Sequence, residues 1–306
     1  MRYELRKNFC NKVVVMMILI FLCINGLEAS YKGKFVERED DEYTTVDYDR
    51  LVEEAFASIE EGRDVRLSSV FIENFANREL TTYTYETEEA AFVEYSTYAE
   101  YGLILVILIT IVAIEAERKS KMTQIISVAS KRNTRIILSK QLAIVVSVII
   151  INLAFLLETI LVHNMVGEID YGMKLYNIPG YRGTLFNGSI LEYKILCTLG
   201  ICLIQIIMAN VVYILACVIK KGGALITGSV ATYAVLDYIS SQVPLKYYYL
   251  NLFAFFDSKY LMRDTIAIFI GDIYTIYIWV ALVFLLLMTV GTNLCSFLMY
   301  RERRTI

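Results

Sequence analysis

The chain has few of the residues that catalysis, metal binding and nucleotide binding require. Its 306 residues include one histidine, His163, whereas zinc sites need several converging His, Cys, Asp or Glu ligands. No GxxxxGK[ST] string occurs, and the nearest glycine-rich string, from Gly223 to Gly228, lacks the lysine that reaches phosphate oxygens. The Glu-Glu pairs all fall in one acidic segment and not within an apolar run. We therefore expect no catalytic residue, no metal site and no cofactor on this chain, which disfavours an intramembrane enzyme.

Proline and disulfide-forming cysteine are also scarce. Two prolines in 306 residues, with 57% hydrophobic residues, indicate a polytopic helical membrane protein and not a soluble globule. The six cysteines include no CxxC pair, and none lies in the acidic segment or between the later apolar runs on its side. The parts outside the membrane are therefore not expected to depend on disulfides.

Six apolar runs approach the roughly 20 residues that a spanning helix needs. The first is short and the fifth is weakened by Asp237. The runs cover about 13–27, 98–115, 141–162, 193–219, 223–241 and 273–299. The sequence thus predicts an all-α polytopic protein with six transmembrane helices.

The basic residues predict the orientation of these helices. Sixteen Lys and Arg fall before the first run and after the second, fourth and sixth, against six in the loops after the third and fifth, Lys194 among them. Because Lys and Arg near span ends favour the cytoplasmic side, both termini are predicted to be cytoplasmic, in a multi-pass protein of the cell membrane. Residues 1–29 also resemble a cleavable signal peptide, which would leave five spans.

Residues 28–100 differ from the rest in charge. They contain 20 Asp and Glu against 7 Lys and Arg, a net charge of −13, while the remainder carries +10. The sequence therefore divides into an N-terminal tail with the first span (1–27), a small helical acidic extracytoplasmic domain (28–97) and a five-helix core (98–306).

The most informative stretch lies between the second and third runs. Seven Lys and Arg occur there, and the spacing of Met122, Ile125 and Ile126 predicts one apolar face of a short amphipathic helix, over 118–131. Such a helix, cytosolic and tied to two spans, suits docking to a soluble partner. The plainer interpretation of its charges is positive-inside topology, and both can hold together.

Polar residues inside the runs are costly in a bilayer and indicate function by default. Glu158 and Asp237 are candidates for a translocation path, although both fall near outer span ends where they could reach interfacial water. Gln205 and Asn210 are expected to hydrogen-bond a neighbouring helix. His163, at the outer end of the third run, is expected to be interfacial and partly solvated.

From the second run onward the chain resembles the membrane subunits of bacterial ABC exporters of the type-2 permease class. In that family the second span ends in a Glu, a coupling helix follows, then a basic turn, then a Lys that opens the third span. These places are taken here by Glu115 or Glu117, Met122–Ser130, Lys131-Arg132-Asn133-Thr134-Arg135 and Lys140. The residues implied to couple to the ATPase also include Arg118, Ile125 and Ile126. Weaker similarities are Tyr171-Gly172 to Pro179-Gly180, Ile190 to Tyr193, and the basic end Arg301 to Arg304.

The resemblance implies a half-transporter. Two permeases, identical or related, would pair around a path, and two cytosolic ABC ATPase subunits, which carry the ATP and Mg²⁺, would grip the 118–131 helices. No nucleic-acid partner is expected. Asn133 replaces the usual loop glycine, a minor departure since Asn tolerates the same backbone. The larger acidic outer domain is the second departure, and it leaves the substrate open.

An acidic, Tyr-rich outer domain would attract cationic amphipathic molecules, so a peptide or peptide antibiotic is the predicted substrate. The competing class is a sensor or immunity protein that binds a ligand through the acidic domain and needs no ATPase.

Overall fold

Long helices dominate the structure, as the apolar runs predict. The computed structural model describes residues 11–34, 44–45, 52–53, 56–57, 59, 68–70, 72–73, 78, 82–83, 88–119, 133–178, 181, 183–262, 267–270 and 273–302. Within them the helices are α1 (Lys12–Lys34), α2 (Glu88–Glu94), α3 (Tyr98–Lys119), α4 (Asn133–Val166), α5 (Ile190–Val218), α6 (Gly222–Ser241), α7 (Lys259–Met262) and α8 (Tyr277–Glu302).

Five segments of the described chain are long and apolar enough to cross a membrane, which indicates a membrane-embedded protein. They are Lys12–Tyr31, Glu89–Arg118, Leu138–Val166, Ile190–Val218 and Tyr277–Met299. The fifth predicted span, 223–241, is a helix of sufficient length, but α6 contains eight Gly, Ser and Thr and Asp237 among its 20 residues. Because of this composition, α6 is not among the five segments that are apolar enough to cross a membrane.

The helix α5 forms the centre of the bundle. It packs against α3, α4, α6 and α8, and 18 of its 29 residues are buried. Its first turn is closed by a capping box, in which the Ser189 hydroxyl accepts from the Glu192 amide and the Glu192 carboxylate accepts from the Ser189 amide. By contrast, only Leu225, Ser229 and Ser240 are buried in α6.

The bundle has two ends, which we name by their composition. At the basic end, α3 runs out at Lys119, α4 begins at Asn133, and a short turn joins α5 to α6. At the loop end lie α2, the loop 167–189 and the segment 242–276. The loop 167–189 contains a 3-10 turn at Leu175–Asn177 and a bridge between Lys174 and Ser189.

Two short antiparallel hairpins interrupt the helical pattern. Strand β1 (Thr44–Thr45) pairs with β2 (Thr82–Tyr83) in the acidic domain, which is therefore not purely helical. Strand β3 (Ala267–Ile270) pairs with β4 (Ile273–Ile276). The last span was predicted from residue 273, but its helix begins at Tyr277, because residues 273–276 form the second strand of this hairpin.

The segment after α6 packs against α5. A 3-10 turn at Leu245–Leu250 is followed by consecutive turns, in which Leu252, Phe253 and Phe255 are buried. The Phe255 ring lies on Gly200, where a Cβ would come within 2.3 Å of it. Ser258 contacts Tyr193, which lies seven residues before Gly200 in α5. The segment from Phe255 to Ser258 therefore extends about 10 Å along α5.

Candidate functional site

The basic end holds a buried ion pair between the two helices that flank residues 120–132. The Lys140 ammonium in α4 donates to the Glu117 carboxylate in α3 over 2.5 Å, and both side chains are more than nine-tenths buried. Buried charges persist only when paired, so this contact fixes the end of α3 against the start of α4.

Arg118, the next residue, joins α3 to the end of α5. Its guanidinium donates to the carbonyl oxygens of Ala216, Ile219 and Lys220 at 2.8–3.0 Å. It also pairs with the Glu115 carboxylate at 2.7 Å. The last carbonyls of a helix have no partner within the helix and carry its negative dipole, so an arginine there is favourable.

The start of α6 closes on the same group of charges. A Cβ on Gly222 would lie 2.8 Å from the carboxyl carbon of Glu115, so a larger residue would press on that side chain. The last turns of α3 therefore contact α4, α5 and α6 through one group of residues, which we call the charged junction: Glu115, Glu117, Arg118, Lys140 and Gly222. Residues 120–132 connect α3 to α4 in the sequence.

Four of the predicted coupling residues are thus brought together, namely Glu115, Glu117, Arg118 and Lys140. Met122, Ile125, Ile126, Lys131 and Arg132 lie outside the described residues, so the amphipathic helix over 118–131 stays a prediction. Arg135 is in the first turn of α4, and its side chain is likewise outside the described part.

The two acids predicted for a translocation path do not meet. Glu158 of α4 accepts a hydrogen bond from the Asn25 amide of α1 at 2.8 Å, and Gly26 lies against its other oxygen. Asp237 is exposed on α6, beside Tyr233. No contact joins Glu158 to Asp237 among the residues that the structure describes.

Polar side chains in the middle of the bundle pair with each other. Gln205 of α5 accepts from the Asn152 amide of α4 at 2.6 Å, and Gly102 of α3 provides the space for the Gln205 amide. This confirms the expectation that Gln205 bonds a neighbouring helix. Asn210 is also buried, but its amide nitrogen has no partner among the described residues.

The interface of α3, α4 and α5 is nearly closed. A cavity of about 10 Å³ remains between them, lined by apolar side chains with Thr110, Ser147 and Tyr213. A cavity of that volume holds at most about one water molecule. It offers no room for an organic solute.

The loop end contains a buried lysine, Lys194, which was predicted from the sequence to lie in an outer loop. Lys194 was counted among the outer-loop charges, but it lies in the second turn of α5 and is 2% exposed. Its ammonium donates to the carbonyls of Phe92, Val93 and Tyr95, where α2 ends. Backbone acceptors leave no residue pattern, so the sequence offered no signal for this contact.

His163 is also buried at this end and not partly solvated as expected. It is 3% exposed, and its Nδ1 faces the Thr159 carbonyl at 2.8 Å. Its ring meets the Phe92 ring edge to face, with centroids 5.5 Å apart. Aromatic packing by α2 excludes the water that the sequence interpretation assumed.

Tyrosines of the loop end serve packing and hydrogen bonding. Tyr95 donates to the side chain of Asn25 at 2.8 Å, and Tyr101 donates to Glu28 at 2.6 Å, so both fasten α1. Burial in the loop 167–189 raises the pKa of the Tyr181 hydroxyl well above its usual value, which keeps it neutral. Tyr181 stacks edge to face on Tyr193.

In the described ranges no three His, Cys, Asp or Glu side chains converge as metal ligands would. The described cysteines are free. No protein-family model, curated protein or solved structure matches this chain.

Proposed function

We propose that this chain is the permease subunit of an ATP-driven ABC exporter, with a separate ATPase bound at residues 118–131. The observation that supports this most is the charged junction. It joins the last turns of α3, which lead into that basic segment, to α4, α5 and α6. A force applied to the segment would therefore act on α3, α4, α5 and α6 together.

The narrow interface of α3, α4 and α5 supports a path between two copies over a path through this interface. Among the described residues, the α3, α4 and α5 interface leaves a cavity of only about 10 Å³. A second permease, identical or related, would then supply the other wall. Glu158 is turned toward α1 and is a weak candidate for such a path, whereas Asp237 is exposed.

The proposed substrate is a cationic peptide or peptide antibiotic, attracted by the acidic domain. Because Thr44 pairs with Tyr83, the ends of the intervening segment are adjacent, and residues 46–81 can be replaced by an Asn-Gly turn. If this domain selects the substrate, the deletion abolishes protection of cells against a cationic peptide while the complex still assembles. Unchanged protection would contradict that role.

Docking of the ATPase is tested by the double substitution Ile125→Asp and Ile126→Asp, which would place two charges on the predicted apolar face. We expect the variant to insert normally and to lose the co-purifying ATP-binding subunit. The matched control is Ser241→Asp with Gln242→Asp, two exposed positions at the loop end, which should retain it. Retention of the ATPase by the Ile125/Ile126 variant would refute docking at this segment.

A sensor or immunity protein is the second candidate, because the acidic domain is attached to the bundle by specific contacts. Arg78 donates to the Thr184 carbonyl at 2.6 Å and lies 4.4 Å from the centre of the Tyr176 ring. A ligand bound by the domain could thus act on the helices. Such a protein would keep its function in the Ile125/Ile126 variant.

A further inference from the structure

The short helix α2 joins the acidic domain to α3 and contacts α4 and the loop 167–189. Glu89 accepts from the Asp170 amide at 3.2 Å, and Phe92 packs edge to face on His163 and on Tyr171. Tyr95, just beyond α2, donates to Asn25 of α1. These contacts therefore fix the part of the acidic domain that leads into α3.

The end of α2 is held by Lys194, which reaches it from α5. The last carbonyls of any helix lack partners within the helix and need donors from elsewhere. The Lys194 ammonium is 2.8 Å from the Phe92 oxygen and 3.4 Å from the Val93 oxygen, and it also bonds the Tyr95 oxygen. An ammonium has three donors, so three acceptors match it.

Aromatic rings complete the surroundings of the ammonium. Its nitrogen lies 5.2 Å from the centre of the Phe92 ring and 5.4 Å from that of Tyr98, within the range of cation–π attraction. In the described part of the chain no carboxylate forms an ion pair with Lys194. Its charge is thus balanced by the dipole of α2 and by ring faces.

We propose that the end of α2 is an ammonium-binding site, occupied by the chain's own Lys194, and that this contact positions α2, the last element of the acidic domain, on α5. Apolar packing alone would not need a charge at this position. An ammonium without a carboxylate partner can donate all its hydrogen bonds to carbonyl oxygens. The three oxygens that it bonds here are those at the α2 terminus. The inference is independent of the proposed exporter function.

The test is amide hydrogen exchange of the full chain in detergent, comparing the unmodified protein with Lys194→Met. Methionine keeps the apolar length and removes the donors. We expect amides of residues 88–97 to exchange at least about tenfold faster, since hydrogen bonds to a charged group are lost, while amides near the basic end are unchanged. The matched control is Lys174→Met, because Lys174 also donates to a carbonyl, that of Asn187, but is exposed.

Chemical rescue separates ammonium binding from packing. In Lys194→Ala, propylammonium supplied during solubilisation and labelling replaces the deleted atoms, and we expect it to restore slow exchange of 88–97. Propan-1-ol, of similar size and uncharged, should not. Slow exchange of 88–97 in Lys194→Met, equal acceleration along the whole bundle, or rescue by both compounds alike would overturn the proposal. If Lys194→Ala does not fold, the Lys194→Met result decides.

Discussion

The two ends of the bundle neutralise buried charge in different ways. At the basic end, the Lys140 and Arg118 cations meet the Glu117 and Glu115 carboxylates. At the loop end, Lys194 meets backbone carbonyls and aromatic rings. The cations of the basic end thus each have a carboxylate partner, and Arg118 in addition bonds the carbonyls at the end of α5, whereas Lys194 at the loop end has only backbone carbonyls and ring faces.

The largest expected effect is at the basic end. Glu117→Ala leaves the Lys140 ammonium buried without its carboxylate, and we expect a loss of about 3–5 kcal/mol in the free energy of unfolding. Thermal unfolding in detergent measures this loss. The control is the double variant Glu117→Leu with Lys140→Met, which removes both charges and should recover most of the stability. A single variant as stable as the unmodified chain would show that the pair does not hold α3 to α4.

The loop end should respond more to shape than to charge pairing. Gly200→Ala puts a methyl group into the Phe255 ring, and overpacking of this kind costs about 1–3 kcal/mol. Gly291→Ala in α8 is the control, since nothing lies within 4 Å of its added Cβ, and no loss is expected there. The two variants are compared by thermal unfolding, and equal stabilities would contradict close insertion of the 251–258 segment against α5.

The smallest expected effect lies between the two ends. Asn152→Leu removes the partner of the Gln205 amide, and interhelical hydrogen bonds within membranes average about 0.6 kcal/mol. The double variant Asn152→Leu with Gln205→Leu serves as the control, because it leaves neither amide unpaired. A loss as large as that of Glu117→Ala would mean that the middle of the bundle, and not its ends, determines stability.

The comparison also explains what could be predicted from the sequence. Long apolar runs predict helices of membrane length, whereas the contact between Glu117 and Lys140 was not predicted, although both were named as coupling residues. Lys194 and His163 were misjudged because their surroundings come from α2, whose position depends on backbone carbonyls and tertiary packing. Counting charged residues does not predict a contact with a backbone carbonyl, because every residue has one.

The start of the last span shows a second limit of sequence reasoning. Residues 273–276 are apolar and aromatic, a composition that suits a strand as well as a spanning helix. Their pairing with Ala267–Ile270 decides between the two, and that pairing depends on where the neighbouring strand lies. Hydropathy alone therefore does not predict that the last helix begins at Tyr277.

The most direct test of the exporter proposal is purification of the tagged, unmodified chain from its native host in mild detergent, with mass spectrometry of the proteins that accompany it. Our account predicts an ATP-binding subunit in roughly equal amount with the chain. Recovery of intact, folded chain without such a subunit would contradict the account and favour the sensor or immunity class.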